Sequence, residues 1–297
     1  MAPTRERSSD KGTIAIGFVQ EALVDVTRRG LDAHALLAAA GISPELLNAP
    51  QARVSSAHYG RLWHLIAEAT DDEFFGMDSH PMKAGSFTLL CHSVIHCDSL
   101  ERALRRALRF FRLILDDMAG ELVRDGDTAR LVVVDPHPGP RRAFAYGTFL
   151  IMLHGLACWL IGRRIPLAQA VFRCPEPDFS AEWRVLFSPD LVFDAAQTEI
   201  RFPAEYLDMA NVQNERTMKV FLRSAPANFL VKYRNSEGLV ARIQGDEVLL
   251  ARSRIPLLER ALAEDLLPTK QEIVREDTLA ETAEVAAATR SLLEARL

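Results

Sequence analysis

Residues 120–163 read GELVRDGDTARLVVVDPHPGPRRAFAYGTFLIMLHGLACWLIGR, and this stretch decides the fold class. Its first part is two extended runs, Gly120 to Arg124 and Ala129 to Asp135, separated by Asp125-Gly126-Asp127. Asp-Gly between two such runs predicts a β-hairpin, because that dipeptide accepts the positive φ angles a tight reversal needs. Pro136 to Pro140 reads as a loop, and a long helix is expected from about Arg141 to Arg163. Within it, Phe149 to Gly162 is the longest apolar run, and Arg163 and Arg164 follow at once. A bilayer span needs about 20 apolar residues, so this run predicts a buried helix of a protein core.

Outward from there the chain mixes helices with short strands. On the N-terminal side, Ile14, Ile16, Phe18, Val19, Ala22, Leu23 and Val26 follow a helical period that Gly30 stops. Asp32 is a candidate N-cap for a helix ending at Gly41, Pro44 starts another turn, and Ser55 or Ser56 caps a helix from His58 to Thr70. Asp71-Asp72-Glu73 is a polar break. Asp98-Ser99 caps a helix over Leu100 to Leu115 with Glu101, Arg102, Arg105, Arg106 and Arg109 outward. On the C-terminal side, Ala168 to Arg173 reads as a strand and Ser180 to Phe187 as a helix. Leu191 to Phe193 and Thr198 to Phe202 read as two strands joined by a turn. With no regular βαβ repeat, the order predicts an α+β protein: a helical N-terminal part, a small mixed α/β core, and a helical C-terminal tail. The expected domains are a disordered lead (1–12), a body (13–235) and a tail (236–297), with a polar turn at Asn235 to Gly238 as linker.

Composition narrows the function classes. The 297 residues are 48% apolar and 25% charged, which excludes a disordered chain, a collagen and a small disulfide scaffold. Net charge is −5, so the chain has no overall basic excess for nucleic acid or an anionic membrane. Four cysteines (Cys91, Cys97, Cys158, Cys174) read as reduced thiols, and the polar start from Met1 to Gly12 lacks the apolar run of a signal peptide. A cytoplasmic protein without membrane contact is the expectation.

No G-x-S-x-G elbow, phosphate loop, G-x-G-x-x-G or H-E-x-x-H pattern is present, so the sequence predicts no enzyme and no cofactor. His92 and His96 would share a helix face between Cys91 and Cys97, but they lack a third ligand at a set spacing, and no metal site is predicted. Arg105, Arg106, Arg109 and Arg112 could attract an anion or form a solvated helix face. Because Arg109 and Arg112 flank Phe110-Phe111, one of the two is expected to turn inward. His154 sits among Met152, Leu153, Leu156 and Trp159, either lining a ligand cavity or hydrogen-bonded within the core; Tyr146 is a candidate of the same kind. His92, Arg112, Tyr146, His154 and Trp159 are the candidate ligand-binding residues, since each puts a polar group into an apolar segment.

The order of these residues resembles a known family. GLDAHALLAAAGISPELL (30–47) and HYGRLWHLIAEATDDEFFGM (58–77) are similar to the effector-binding domain of AraC-type bacterial transcription regulators, in the ornithine-utilisation-regulator branch of arabinose-binding-domain type. The likeness continues at Asp98 to Leu104, at Phe110-Phe111 and in AEWRVLFSPDLVFDAAQTEIRFPAEYLD (181–208). It covers about residues 14–235. The resemblance implies a domain that binds a small-molecule effector and forms a homodimer, joined to a C-terminal domain of two helix-turn-helix units.

The C-terminal segment departs from that pattern. Residues 244–297 carry 7 Lys and Arg against 11 Asp and Glu, a net of −4, where a groove-reading domain is expected to be the most basic part. Only 54 residues follow Ile243, room for about one helix-turn-helix unit. Thr278-Leu279-Ala280-Glu281 reads instead as a capping box opening a helix. The sequence therefore offers little support for DNA contact by this region, which reads as a truncated or frame-altered remnant. The alternative is a stand-alone ligand-binding and dimerisation protein that touches no DNA.

Overall fold

The computed structural model describes residues 12–230. The expectations of a disordered lead, apart from Gly12, of a turn at 235–238 and of a helix opened by Thr278 fall outside the described residues. In chain order the elements are β1 (Thr13–Ala15), α1 (Ile16–Ala22), α2 (Val24–Arg28), α3 (Ala33–Ala40), β2 (Arg53–Ser55), α4 (Ser56–Thr70), α5 (Ser86–Val94), α6 (Leu100–Ile114), β3 (Ala119–Asp125), β4 (Thr128–Val134), α7 (Ala143–Leu160), β5 (Gln169–Val171), α8 (Ser180–Leu186), β6 (Leu191–Val192), β7 (Thr198–Pro203) and α9 (Glu215–Ser224). The architecture is α+β, as the hairpin and the long apolar helix predict.

Local chemistry starts and stops these elements where the sequence places the signals. The Asp32 and Ser55 side chains accept from the N–H groups of Ala35 and His58, and Ser99 accepts from that of Arg102. Each satisfies a donor that the first helical turn leaves open. On α4 the expected inner face of Tyr59, Leu62, Trp63, Ile66 and Ala67 is buried. The N-terminal run differs from the continuous helix expected over Ile14 to Arg29. Thr13–Ala15 pairs antiparallel with Arg53–Ser55, and the helix is interrupted at Leu23 between α1 and α2. The apolar positions are buried all the same, so their period was informative about burial but blind to a strand partner 40 residues away.

A five-stranded sheet runs in the order β3-β4-β7-β5-β6. The hairpin β3–β4 forms in register from Ala119 opposite Val134 to Asp125 opposite Thr128. The pair of strands expected to follow one another through a turn forms, but β6 and β7 are not neighbours. β7 lies between β4 and β5, and β6 runs parallel to β5 at the edge. Six-residue β7 finds antiparallel partners on both flanks, which satisfies more backbone groups than pairing with two-residue β6 would.

Helix α7 is the centre of the core. All of its side chains from Phe144 to Leu160 are buried except His154. It is long and apolar enough to cross a membrane, yet it is enclosed by the protein's own elements. Phe144 meets Phe18 of α1 and Phe75, and Phe75 lies against Trp63 of α4. At the other end Trp159 stacks on Phe221 of α9, with ring centroids 4.3 Å apart. Gly155 permits the backbone after α9 to approach: a Cβ there would lie 2.3 Å from Phe229 Cβ. Arg109 and Arg112 are both exposed, so neither turns inward; Phe111 and Leu108 fill the core face of α6 instead.

Candidate functional site

Polar groups gather where the start of α7 meets α2 and the loop after α4. The polar break supplies the loop's anchor. Asp72 is buried, and its carboxylate accepts from the N–H groups of Phe74, Gly76 and Met82 at 2.7–3.0 Å. Burial pushes its pKa up, opposed by those three bonds and by Arg29. The loop so curled passes over Asp25 of α2. Gly76 has φ +64°, and a Cβ there would come within 2.5 Å of the Asp25 carboxylate, so only glycine lets the loop lie this close. Asp25 is 2% exposed and is paired with Arg28 of the same helix and with Arg29, the residue that follows it. A buried carboxylate needs such partners, because desolvation of an unpaired charge costs several kcal/mol.

Two further acids organise the neighbouring turns. Asp78 accepts from the N–H groups of His80, Asp116 and Asp117. Asp117 accepts from the N–H and hydroxyl of Ser79 at 2.9 Å and pairs with Arg141 at 3.3 Å. Against the upward push of desolvation, Ser79 and Arg141 hold its carboxyl below the ordinary range.

The loop before α7 brings in Asp135, Arg141 and Arg142. Tyr146 donates to Asp135 Oδ2 at 2.6 Å and accepts from the Arg141 N–H at 3.0 Å. Arg141 Nε donates to Asp135 Oδ1, and Arg173 pairs with the same carboxylate. Burial works to raise the Asp135 pKa, but Tyr146, the His137 N–H and Arg141 bring it below the usual value. The Tyr146 phenol is pushed up to about 12, first by burial and then by its bond to that carboxylate. Arg142 reaches across to α1, where its Nε and Nη2 hold the Glu21 carboxylate and Nη2 also donates to the Glu21 carbonyl.

Two clefts open among these groups. One, of about 340 Å³, is lined by Arg28, Arg141, Arg142, Asp25 and the apolar Val24, Met77, Pro140 and Ala145. The other, of about 450 Å³, is lined by Arg28, Arg29, Asp72, Asp78, Ser79 and Asp117. They share Arg28, Gly76 and Met77, so a basic and partly apolar compartment adjoins an acidic one. Volumes of this size suit small organic molecules.

Of the five residues singled out in the sequence, Tyr146 stands beside these clefts, hydrogen-bonded to Arg141 of the lining. The other four lie elsewhere. His92 is exposed on α5 and Arg112 is exposed at the end of α6. Trp159 is buried against Phe221. His154 Nε2 donates to the Ile165 carbonyl at 3.0 Å, while the Ile165 N–H donates to Cys158 Sγ at 3.3 Å. The histidine and the cysteine thus hold the chain reversal after α7, the hydrogen-bonded core reading of His154. Burial would raise the Cys158 thiol, but the adjacent imidazole offsets it and brings it down. Among the described residues no group of three or more His, Cys, Asp or Glu side chains is placed to hold a metal ion. Sequence reading missed Asp25, Arg28, Gly76 and Arg142. The available signals were a carboxylate set inside the apolar period of 14–26 and the Arg141-Arg142 pair ahead of the long helix.

Two comparisons with known proteins bear on this arrangement. The family described as the arabinose-binding domain of AraC transcription regulators, N-terminal, matches residues 30–211. The ornithine utilization regulator of Pseudomonas aeruginosa is 27% identical over 243 residues, which are 81% of this chain and 69% of that protein.

Proposed function

The chain belongs to the family of AraC transcription regulators that carry this arabinose-binding N-terminal domain, and from that premise we propose that it is a ligand-responsive regulator. In this reading the body senses a small molecule in the paired clefts and forms a homodimer, and residues 236–297 carry whatever contact is made with DNA. The observation that carries the reading is the bipolar cleft within a sensor-type domain: fixed charges of both signs around an open volume, the features a small polar effector requires. The mechanism is linkage. An effector that prefers one arrangement of the domain shifts the population toward it, and the shift cannot exceed the difference in affinity between the two arrangements. Such a regulator works in the cytoplasm, and no catalytic step is assigned to it.

The relative's name ties that protein to ornithine utilisation, so L-ornithine is the first effector to test here. The test is a mobility-shift assay at low salt with DNA from upstream of the chain's own gene, with and without L-ornithine and other free amino acids. Retardation that changes on addition of one of them is the expected result. The acidic balance of residues 244–297 favours a second reading, a ligand-binding and dimerisation protein without DNA contact. Absence of retardation at low salt, with the protein dimeric by sedimentation, would replace the first reading by the second.

A further inference from the structure

We infer that the basic cleft recognises a single carboxylate, held between Arg28 and Arg142, on a ligand with a short aliphatic body. The inference rests on the reading of this domain as an effector sensor and adds the chemical class. Arg28 comes from α2 and Arg142 from the residue preceding α7, so the two guanidinium groups approach the cleft from different elements. Each is already oriented by the protein. Nε and Nη2 of Arg28 face Asp25, and Nε and Nη2 of Arg142 face Glu21. Those bonds use one edge of each fork and leave Nη1 of both groups outside the pairs. A guanidinium pinned along one edge loses little further freedom on binding, which favours recognition by the other edge.

Both side chains are open to an incoming ligand, at 68% exposure for Arg28 and 37% for Arg142. The start of α7 adds to the field, since no side chain caps it and its first N–H groups carry partial positive charge. Val24, Met77, Pro140 and Ala145 give the same cleft an apolar wall for a few methylene groups. Beyond Gly76 and Met77 the balance turns acidic, with Asp72, Asp78 and Asp117 outnumbering Arg28 and Arg29 in the lining of the next compartment. A second carboxylate on the ligand would meet them, and like charges at close range oppose binding. The arrangement therefore selects monocarboxylates over dicarboxylates and over neutral amides.

The test uses the full-length chain and thermal unfolding in the presence of millimolar pentanoate, pentanamide or glutarate. Pentanoate should raise the midpoint with rising concentration, as a ligand of the folded state must. Pentanamide and glutarate should do so with at least about tenfold weaker apparent affinity. Arg28→Gln, on a mostly exposed side chain, and Arg142→Gln should each abolish the pentanoate response, and Arg142→Lys should retain part of it. Equal stabilisation by pentanamide, no stabilisation by pentanoate, or an unchanged response in Arg28→Gln would each overturn the proposal. The outcome is separate from the regulatory reading. DNA retardation that answers to no small molecule would sink that reading without touching the carboxylate result.

Discussion

The two ends of α7, taken with the residues that lead into it, serve different purposes. At the C-terminal end, His154, Cys158 and Trp159 are spent on packing: the first two clamp the Ile165 peptide and the third stacks on Phe221. At the N-terminal end, Tyr146, Arg141 and Arg142 join a network of ion pairs that borders open volume. A polar side chain in an apolar helix therefore has no fixed meaning. Its role depends on whether the neighbouring elements close over it, as the 161–165 turn does over His154, or leave a gap, as the 72–78 loop does beside Arg142.

That contrast can be broken by substitution. The largest expected effect is at the packed end. Trp159→Ala removes a stacked indole and should cost about 3–5 kcal/mol. At about 2–4 °C per kcal/mol for a domain of this size, the unfolding midpoint should drop by roughly 6–20 °C, read by calorimetry. His154→Ala comes next. It leaves the Ile165 carbonyl unpaired and should cost about 2–3 kcal/mol, with no change in pentanoate response. Lost ligand binding in a variant that still folds would contradict the packing role.

Tyr146→Phe tests the polar end. It deletes one hydrogen bond to a carboxylate and should cost about 1–2 kcal/mol at neutral pH. The pH dependence has a definite sign. Asp135 is held below its ordinary value, so its contribution is present above about pH 4 and fades as pH falls through the lowered folded-state pKa. Wild type and Tyr146→Phe should accordingly converge in stability in acid; a gap that widens below pH 4 would reverse the assignment. The smallest effect is expected for Arg112→Ala. This exposed side chain should change stability by no more than about 0.5 kcal/mol and leave the ligand response intact.

Legibility followed range. Caps, stops and the Asp-Gly hairpin were readable because each depends on residues within a few positions: Asp32 with Ala35, Ser99 with Arg102, Asp125 with Thr128. The candidate site was mostly not readable. Asp25 and Gly76 are 51 positions apart and meet only because Asp72 curls the intervening loop. Arg142 and Glu21 are 121 apart. The run from Ile14 to Arg29 shows the middle case: its burial was apparent, while the strand at Thr13–Ala15 depended on a partner at Arg53–Ser55.

What the amino-acid order determined by itself is the α+β class, the helix caps at Asp32, Ser55 and Ser99, the buried nature of 143–160 and the family resemblance. Backbone capping and the hydrophobic period act over a few residues and hardly depend on the rest of the chain. What only the tertiary structure decided is which residues share a site and which strands are neighbours: Arg28, Gly76 and Arg142 lining one cleft, and β7 between β4 and β5. Such neighbours are selected by the total burial and pairing of the whole body, a property that no local window contains.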